Sequence, residues 1–248
     1  MARKDTNSDR RAKVAAMQAQ QKAAERRRLV TVIGAIVVVI VLVAAGVTWA
    51  AMSKQRDQQA ALGGLAGGAQ SASCDPVTTD KAEASGNHIG PGTDKPGTTK
   101  VAYSSVPPSS GPHLASPVLS DRRVYTTADA PPIEGLVHNL EHGYTILWYD
   151  RSVEKDQSAA FAALAKQINA MPESAGKFII SPWDPAYGAF PAGKKYALSH
   201  WSADVDRQSG KISNSHGNRQ LCGGLSSAVV EQFVKAHPWS SAPEPGAA

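Results

Sequence analysis

The sequence predicts a single exported α+β domain, with helices packed on a mainly antiparallel sheet, preceded by one transmembrane helix. Three observations lead to this fold class. An apolar stretch of 24 residues lies near the N-terminus, short apolar runs and amphipathic segments alternate in the second half, and both cysteines follow the apolar stretch. The part of the chain beyond that stretch is long enough to bury a core of its own.

The apolar stretch at 29–52 contains no charged side chain. At 1.5 Å per residue it would form a helix of about 36 Å, which is enough to cross a bilayer with modest tilt. It follows a polar head of 28 residues and is longer than the apolar core of a signal peptide. We therefore expect an uncleaved anchor, and cleavage after Ala50–Ala51 is the alternative.

Charge predicts the orientation of the anchor. Residues 1–28 carry nine Lys and Arg against three acidic residues, so the positive-inside rule places them in the cytoplasm. The rest of the chain has 17 basic and 18 acidic residues, so the pI of about 9.2 reflects the tail. The expected partner of the tail is the lipid bilayer, and nothing in this charge balance indicates nucleic acid.

The chain is accordingly expected to have four parts and to lie in the cell membrane as a single-pass protein with an extracytoplasmic domain. These parts are a basic cytoplasmic tail at 1–28, a transmembrane helix at 29–52, a flexible Gly/Ala/Ser/Gln linker at 53–73 and a folded domain at 74–248.

Within the folded domain, a Pro/Gly-rich segment at 75–132 predicts ordered loop, and periodicity predicts strands and helices after it. The predicted elements are a strand at Tyr144–Tyr149, a helix from an N-cap at Ser152 to Met171, strands at Phe178–Ile180 and Tyr196–Trp201, and a helix from Ser226 or Ser227 to the residue before Pro238.

Cys74 and Cys222 are the two cysteines. In an oxidising compartment an even pair predicts one disulfide, here closing a loop of about 150 residues with an expected stabilisation of roughly 4 to 5 kcal/mol. The alternative is that Cys222, in LCGG, serves as a thiolate ligand or nucleophile.

The candidate site centres on HNLEH at 138–142, with SGPH 25 residues earlier. His138 and His142 would share one face of a helix, whereas on a strand they would stand about 13 Å apart and could not share an ion. The metal hypothesis therefore requires a helical turn between Gly135 and Gly143. We expect both glycines to act as helix breakers. The predicted ligands are His113, His138, His142 and Glu141, and imidazoles outside the cytoplasm suit zinc or copper.

Two other interpretations compete with a metal site. The histidines and Glu141 can instead serve as structural hydrogen-bonding groups. The pattern H-x-x-E-H also occurs in inverted zincins, where the glutamate is the general base, but Gly143 ends the helix and a strand follows at once. His200 in YALSHW is expected to be a half-buried strand residue, and His88, His216 and His237 receive no role.

The motifs also resemble those of a known family. PPSSGPH at 107–113, LVHNLEHGYTILWYD at 136–150, ISPWD at 180–184 and FVKAH with APEP near the end are similar to the DUF3105 family, a domain of unknown function in actinobacterial membrane-anchored proteins. The shared signature is Ser110, Gly111, Pro112, His113, His138, Asn139, Glu141, His142 and Gly143. The chain departs from the family pattern with SHW at 199–201. The resemblance implies no activity.

Three functions follow as hypotheses. The first is a cell-envelope protein that binds a transition metal through His113, His138 and His142. The second is a non-enzymatic module that recognises another envelope protein or a wall polymer, with structural histidines. The third is a metal-dependent hydrolase using His138, Glu141 and His142. The sequence leaves catalysis undecided and favours a non-catalytic role, because it contains no nucleophile elbow, phosphate loop, dinucleotide fingerprint or C-x-x-C motif.

Overall fold

A computed structural model describes residues 5–63, 65, 68–82, 86–119, 121–206 and 208–247. The chain divides between residues 57 and 58 into two compact units, which are described separately below.

The N-terminal unit is formed by helix α1, which spans Asp5–Gly63 and thus extends past the unit's end. It contains the apolar stretch, and among the described residues it is the one helix long and apolar enough to cross a membrane. Its apolar side chains, such as Leu29 and Leu42, are exposed. This exposure is what a helix in contact with lipid requires. The helix covers the predicted tail from Asp5 onward, the predicted span and the first part of the predicted linker.

The second unit is a mixed α+β domain, which confirms the predicted fold class. Its strands are β1 (Thr78–Lys81), β2 (His88–Ile89), β3 (His113–Leu114), β4 (Thr145–Tyr149), β5 (Phe178–Pro182), β6 (Tyr196–Val205) and β7 (Ile212–Cys222), and its helices are α2 (Ile133–Glu141), α3 (Glu154–Asn169) and α4 (Ser227–Ala236).

Five strands form a sheet in the order β1-β7-β6-β4-β5. Every neighbouring pair is antiparallel except β4 and β5, which are parallel and joined through α3. The connection must cross the length of the sheet because parallel strands begin at the same edge, and a helix is the usual form of such a crossover. The short strands β2 and β3 pair in parallel to form a second, two-stranded sheet.

The large sheet carries a hydrophobic core on each face. Leu147 and Leu198 belong to the core that α3 and α4 cover, whereas Trp148 and Trp201 belong to the core that α2 covers. This assignment follows from the alternation of side chains along a strand, which puts adjacent residues on opposite faces. The domain therefore has three layers, and α2 shares its layer with the candidate site.

Two local predictions were wrong. Ser152 does not cap a helix: the Asp150 side chain accepts a hydrogen bond from Ser152 N and caps a short 3-10 turn, Arg151–Val153, and α3 begins after it. Strand β7 was not predicted, because its polar sequence ISNSHGNRQLC lacks an apolar alternation. That strand pairs with β6 along the whole length of β6, and most of its residues are partly buried. Pairing with β6, and not an apolar face of its own, stabilises it.

The predicted disulfide is present between Cys74 and Cys222. It joins the end of β7 to the chain just before β1, and β1 then pairs with β7 from Thr78 to Lys81. The covalent bond and this strand pair together hold the start of the domain at the edge of the sheet.

His200 lies fully buried in β6 rather than half-buried. Its Nδ1 lies 3.2 Å from the Tyr144 carbonyl oxygen and from Thr145 Oγ1, and its Nε2 lies 3.2 Å from Ser241 Oγ. Burial, with His237 nearby, lowers the pKa of His200 to about 3. The ring is therefore neutral in the folded protein at neutral pH.

This burial predicts that acid destabilises the domain. Between pH 6.5 and about 3 the unfolded chain binds a proton that folded His200 does not, so stability falls as pH drops through 6.5. From pH 7 to pH 5 the wild-type protein should lose about 2 kcal/mol more than a His200→Gln variant, measured by denaturant unfolding at each pH. Equal losses in both proteins would contradict this assignment.

Candidate metal centre

The two-stranded sheet places two histidines side by side. In the parallel pair β2 and β3, His88 is in register with His113. Their rings meet edge to face with centroids 4.9 Å apart. His113 is fully buried and also contacts Trp201 edge to face, with a centroid distance of 5.9 Å. The small sheet thus presents a pair of imidazoles against the large sheet.

Helix α2 supplies the remaining groups. His138, Glu141 and His142 stand at positions i, i+3 and i+4, which share one helical face. The helical turn that the metal hypothesis required is therefore present. The expectation that Gly135 breaks the helix was wrong. Gly135 lies inside α2, and a Cβ there would meet Val118 at 3.0 Å. Every residue of this nine-residue helix is buried.

Backbone carbonyls fix the protonation of two rings. His113 Nδ1 lies 2.8 Å from the Gly111 carbonyl oxygen, and His138 Nδ1 lies 2.6 Å from that of Leu114. A carbonyl oxygen only accepts, so each Nδ1 carries the hydrogen and donates it. Burial also lowers the pKa of His138 to about 4, which keeps this ring neutral. The Nε2 atom of His138 is therefore unprotonated and carries a lone pair, as a metal-binding nitrogen must.

The Nε2 atoms approach a buried carboxylate. Glu141 is fully buried, and its Oε2 lies 3.0 Å from His113 Nε2 and 3.9 Å from His88 Nε2. Within the described part of the chain, both of these Nε2 atoms are buried without a hydrogen-bond partner. The two atoms that are 3.0 Å apart attract each other only when a proton or a metal cation lies between them.

The spacing fits a metal ion. One ligand atom from each of His88, His113, His138 and Glu141 can be chosen so that all four lie within 4.8 Å of one another. Tetrahedral zinc with bonds of about 2.1 Å separates its ligand atoms by roughly 3.4 Å. The 3.0 and 3.9 Å distances around Glu141 Oε2 lie on either side of that value.

His142 occupies a neighbouring position. Its Nε2 lies 3.0 Å from His138 Nε2 and 3.5 Å from Glu244 Oε2. Glu141, His142 and Glu244 form a second group whose ligand atoms all lie within 4.8 Å. The structure thus places three of the sequence-predicted ligands, His113, His138 and Glu141, in one group, and puts His142 in the group beside it.

Sequence reasoning did not identify His88 or Glu244. Both have isolated settings in the sequence, NHIG and PEPG, and neither stands at helical spacing from another candidate ligand. His88 becomes a neighbour of His113 only through the pairing of β2 and β3, and Glu244 approaches α2 through its backbone N–H, which donates to the Glu141 carbonyl oxygen.

Other signature residues have structural roles. The Asn139 side chain exchanges two hydrogen bonds with the backbone of Val118, so it fixes the loop that covers α2. Gly143 has φ +90°, and a Cβ there would overlap the Trp239 carbonyl oxygen. The C-terminal segment can therefore approach the end of α2 only because residue 143 is glycine.

The chain belongs to a family defined by these motifs. Residues 95–248 match the family described as Protein of unknown function (DUF3105), as the resemblance implied. No curated protein and no solved structure matches the chain. Of the four residues in the first group, His113, His138 and Glu141 lie in the matched region and His88 precedes it.

The close approach at Gly143 gives a prediction about stability. Gly143→Ala should lower the free energy of unfolding by at least about 2 kcal/mol, because left-handed backbone strain and overlap with Trp239 combine.

Gly176→Ala is the matched control for denaturant unfolding. Gly176 has φ +77° and no neighbour within 4 Å of an added Cβ, so this variant reports the backbone strain alone, about 1 to 2 kcal/mol. If the two variants lose the same stability, the contact between Gly143 and Trp239 contributes nothing.

Proposed function

We propose that this protein is a membrane-anchored domain that holds a divalent transition metal ion outside the cytoplasm, with His88, His113, His138 and Glu141 as ligands. The observation that carries the proposal is the approach of His113 Nε2 to Glu141 Oε2 at 3.0 Å, in a buried site, with Nδ1 of His113 held by a carbonyl. A metal cation bound between these two atoms would join them and balance the buried carboxylate charge.

The donor set favours zinc or copper. Three imidazoles and one carboxylate suit both ions, and the bonds from Nδ1 to carbonyl oxygens orient the rings as those of metal-binding histidines usually are. No sulfur ligand takes part, since Cys74 and Cys222 are joined in the disulfide. Zinc is usually coordinated by four ligands, which is the number of groups in this site.

The contacts of Glu141 favour a ligand over a catalytic base. Its Oε1 accepts a hydrogen bond from Gly86 N at 2.6 Å, and its Oε2 faces two imidazoles. A general base of an inverted zincin must instead face a metal-bound water. Burial likewise argues against direct recognition of a partner by the histidines, because His113 and His138 are 0% and 4% exposed.

The location of the domain follows from the anchor and the cysteines. An apolar helix of spanning length suggests attachment to a membrane, and the disulfide suggests an oxidising compartment. The basic tail supports an orientation with the N-terminus in the cytoplasm and the domain on the other side.

Orientation can be measured on intact cells that express the full chain. A protease added outside, after permeabilisation of the wall, should degrade the domain and leave the N-terminal tail protected, because the bilayer shields only the cytoplasmic side. Protection of the domain together with degradation of the tail would contradict the proposed orientation.

Metal binding can be measured by elemental analysis of the full chain in detergent, stripped with a chelator and reloaded with Zn²⁺ or Cu²⁺ in parallel. The wild-type protein should retain at least one ion per chain. His88→Gln and His113→Gln should each weaken binding by at least about 100-fold, because loss of an outer-shell partner alone costs 10- to 100-fold.

His216→Gln provides a matched control. His216 Nδ1 also lies 2.8 Å from the carbonyl oxygen two residues earlier, that of Asn214, as His113 Nδ1 does with Gly111. His216 belongs to neither group of candidate ligands among the described residues. Circular dichroism verifies that each variant folds. Equal retention by the His88, His113 and His216 variants, or none by the wild-type protein, would refute the metal site.

A further inference from the structure

We infer that the site holds two metal ions, with Glu141 shared between them and His142 and Glu244 completing the second position. This inference rests on the proposed function, since it adds a second ion to the first. We call the group of His88, His113, His138 and Glu141 the inner site, and the group of Glu141, His142 and Glu244 the outer site.

The two sites adjoin through two contacts. Glu141 belongs to both groups, and a carboxylate has two oxygens with which to bind two ions. His138 Nε2 of the inner site also lies 3.0 Å from His142 Nε2 of the outer site, within hydrogen-bond distance, so His142 must carry its hydrogen on Nδ1 when both rings bind ions. Sites that share one carboxylate and have ligands this close suit a two-metal centre, in which the ions stand about 3.5 to 4 Å apart.

The outer site is built from contacts that hold the C-terminal segment against α2. Lys177 Nζ donates to the carbonyl oxygens of His142, Pro245 and Ala247 at 2.8, 3.0 and 2.9 Å. Glu244 N donates to the Glu141 carbonyl oxygen at 3.0 Å. The hydrogen bonds of Lys177 and the backbone bond of Glu244 therefore hold Glu244 in a fixed position beside His142.

Each ion has a carboxylate ligand available. Glu141 lies in both sites and Glu244 lies in the outer site, while the histidines bind ions as neutral imidazoles. His142 Nε2 and Glu244 Oε2 are 3.5 Å apart, close to the spacing of ligands on one ion. The inner site therefore provides three nitrogens and the shared carboxylate, and the outer site provides one nitrogen and two carboxylates.

Ligand number distinguishes the two sites further. The most exposed side chain of the inner site is that of His88, at 36%, and that of the outer site is Glu244, at 43%. The inner ion has four ligands against three and should therefore bind more tightly. The outer ion, with more oxygen ligands and open water on one side, should bind more weakly and leave room for a water ligand.

The test is a titration of the chelator-stripped full chain in detergent with Co²⁺, followed by visible absorption and electron paramagnetic resonance. The wild-type protein should take up two equivalents. The second equivalent should lower the resonance intensity per ion, because ions bridged by a carboxylate couple magnetically.

Glu244→Gln should saturate at one equivalent and keep the full signal per ion. Because Glu244 is half-exposed, this change leaves the buried inner site intact. Glu173→Gln removes the same charge close to the same C-terminal segment, where the Glu173 carbonyl accepts from Trp239 N, and should still bind two ions.

The outcomes separate the two proposals. Saturation of the wild-type protein at one equivalent, two equivalents without magnetic coupling, or two coupled ions in Glu244→Gln would each overturn the outer site while the inner site stands. Failure of the wild-type protein to bind any Co²⁺ or Zn²⁺ would overturn both.

Discussion

The burial of one carboxylate, that of Glu141, is the constraint on which the arrangement around α2 depends. A charge removed from water needs compensating groups, and two stretches of chain supply them. The stretch at Gly86 and His88 gives an N–H and an imidazole, and β3 gives the His113 imidazole. The C-terminal segment contacts the backbone of the same residue, because Glu244 N donates to the Glu141 carbonyl oxygen. Three stretches of chain outside α2 thus meet at one residue.

The segments that meet at α2 and the start of the domain are held by different means. The two-stranded sheet is too short to be stable alone, so it depends on α2 and on the large sheet for burial. The C-terminal segment depends on Lys177, and the start of the domain depends on the disulfide and on β1. The large sheet is the rigid platform, and the candidate metal centre lies in the layer where the irregular segments gather.

Sequence patterns predicted the parts of this structure that depend on local order. The strands at β4 and β6, the helix capped by Ser226 and the face shared by His138, Glu141 and His142 all follow from periodicity and capping. Contacts between distant segments were not predictable. No local pattern marks His88 as the partner of His113, and the polar strand β7 forms because a long neighbour is there to pair with it.

The register of β2 with β3 also has a consequence for related proteins. Family membership is carried by residues 95–248, whereas His88 comes from the chain before them. A relative can therefore keep SGPH and VHNLEHG and still present a different residue opposite the equivalent of His113. On the proposed ligand assignment, such a relative would have three of the four inner-site ligands and one open position, the ligand number typical of catalytic zinc.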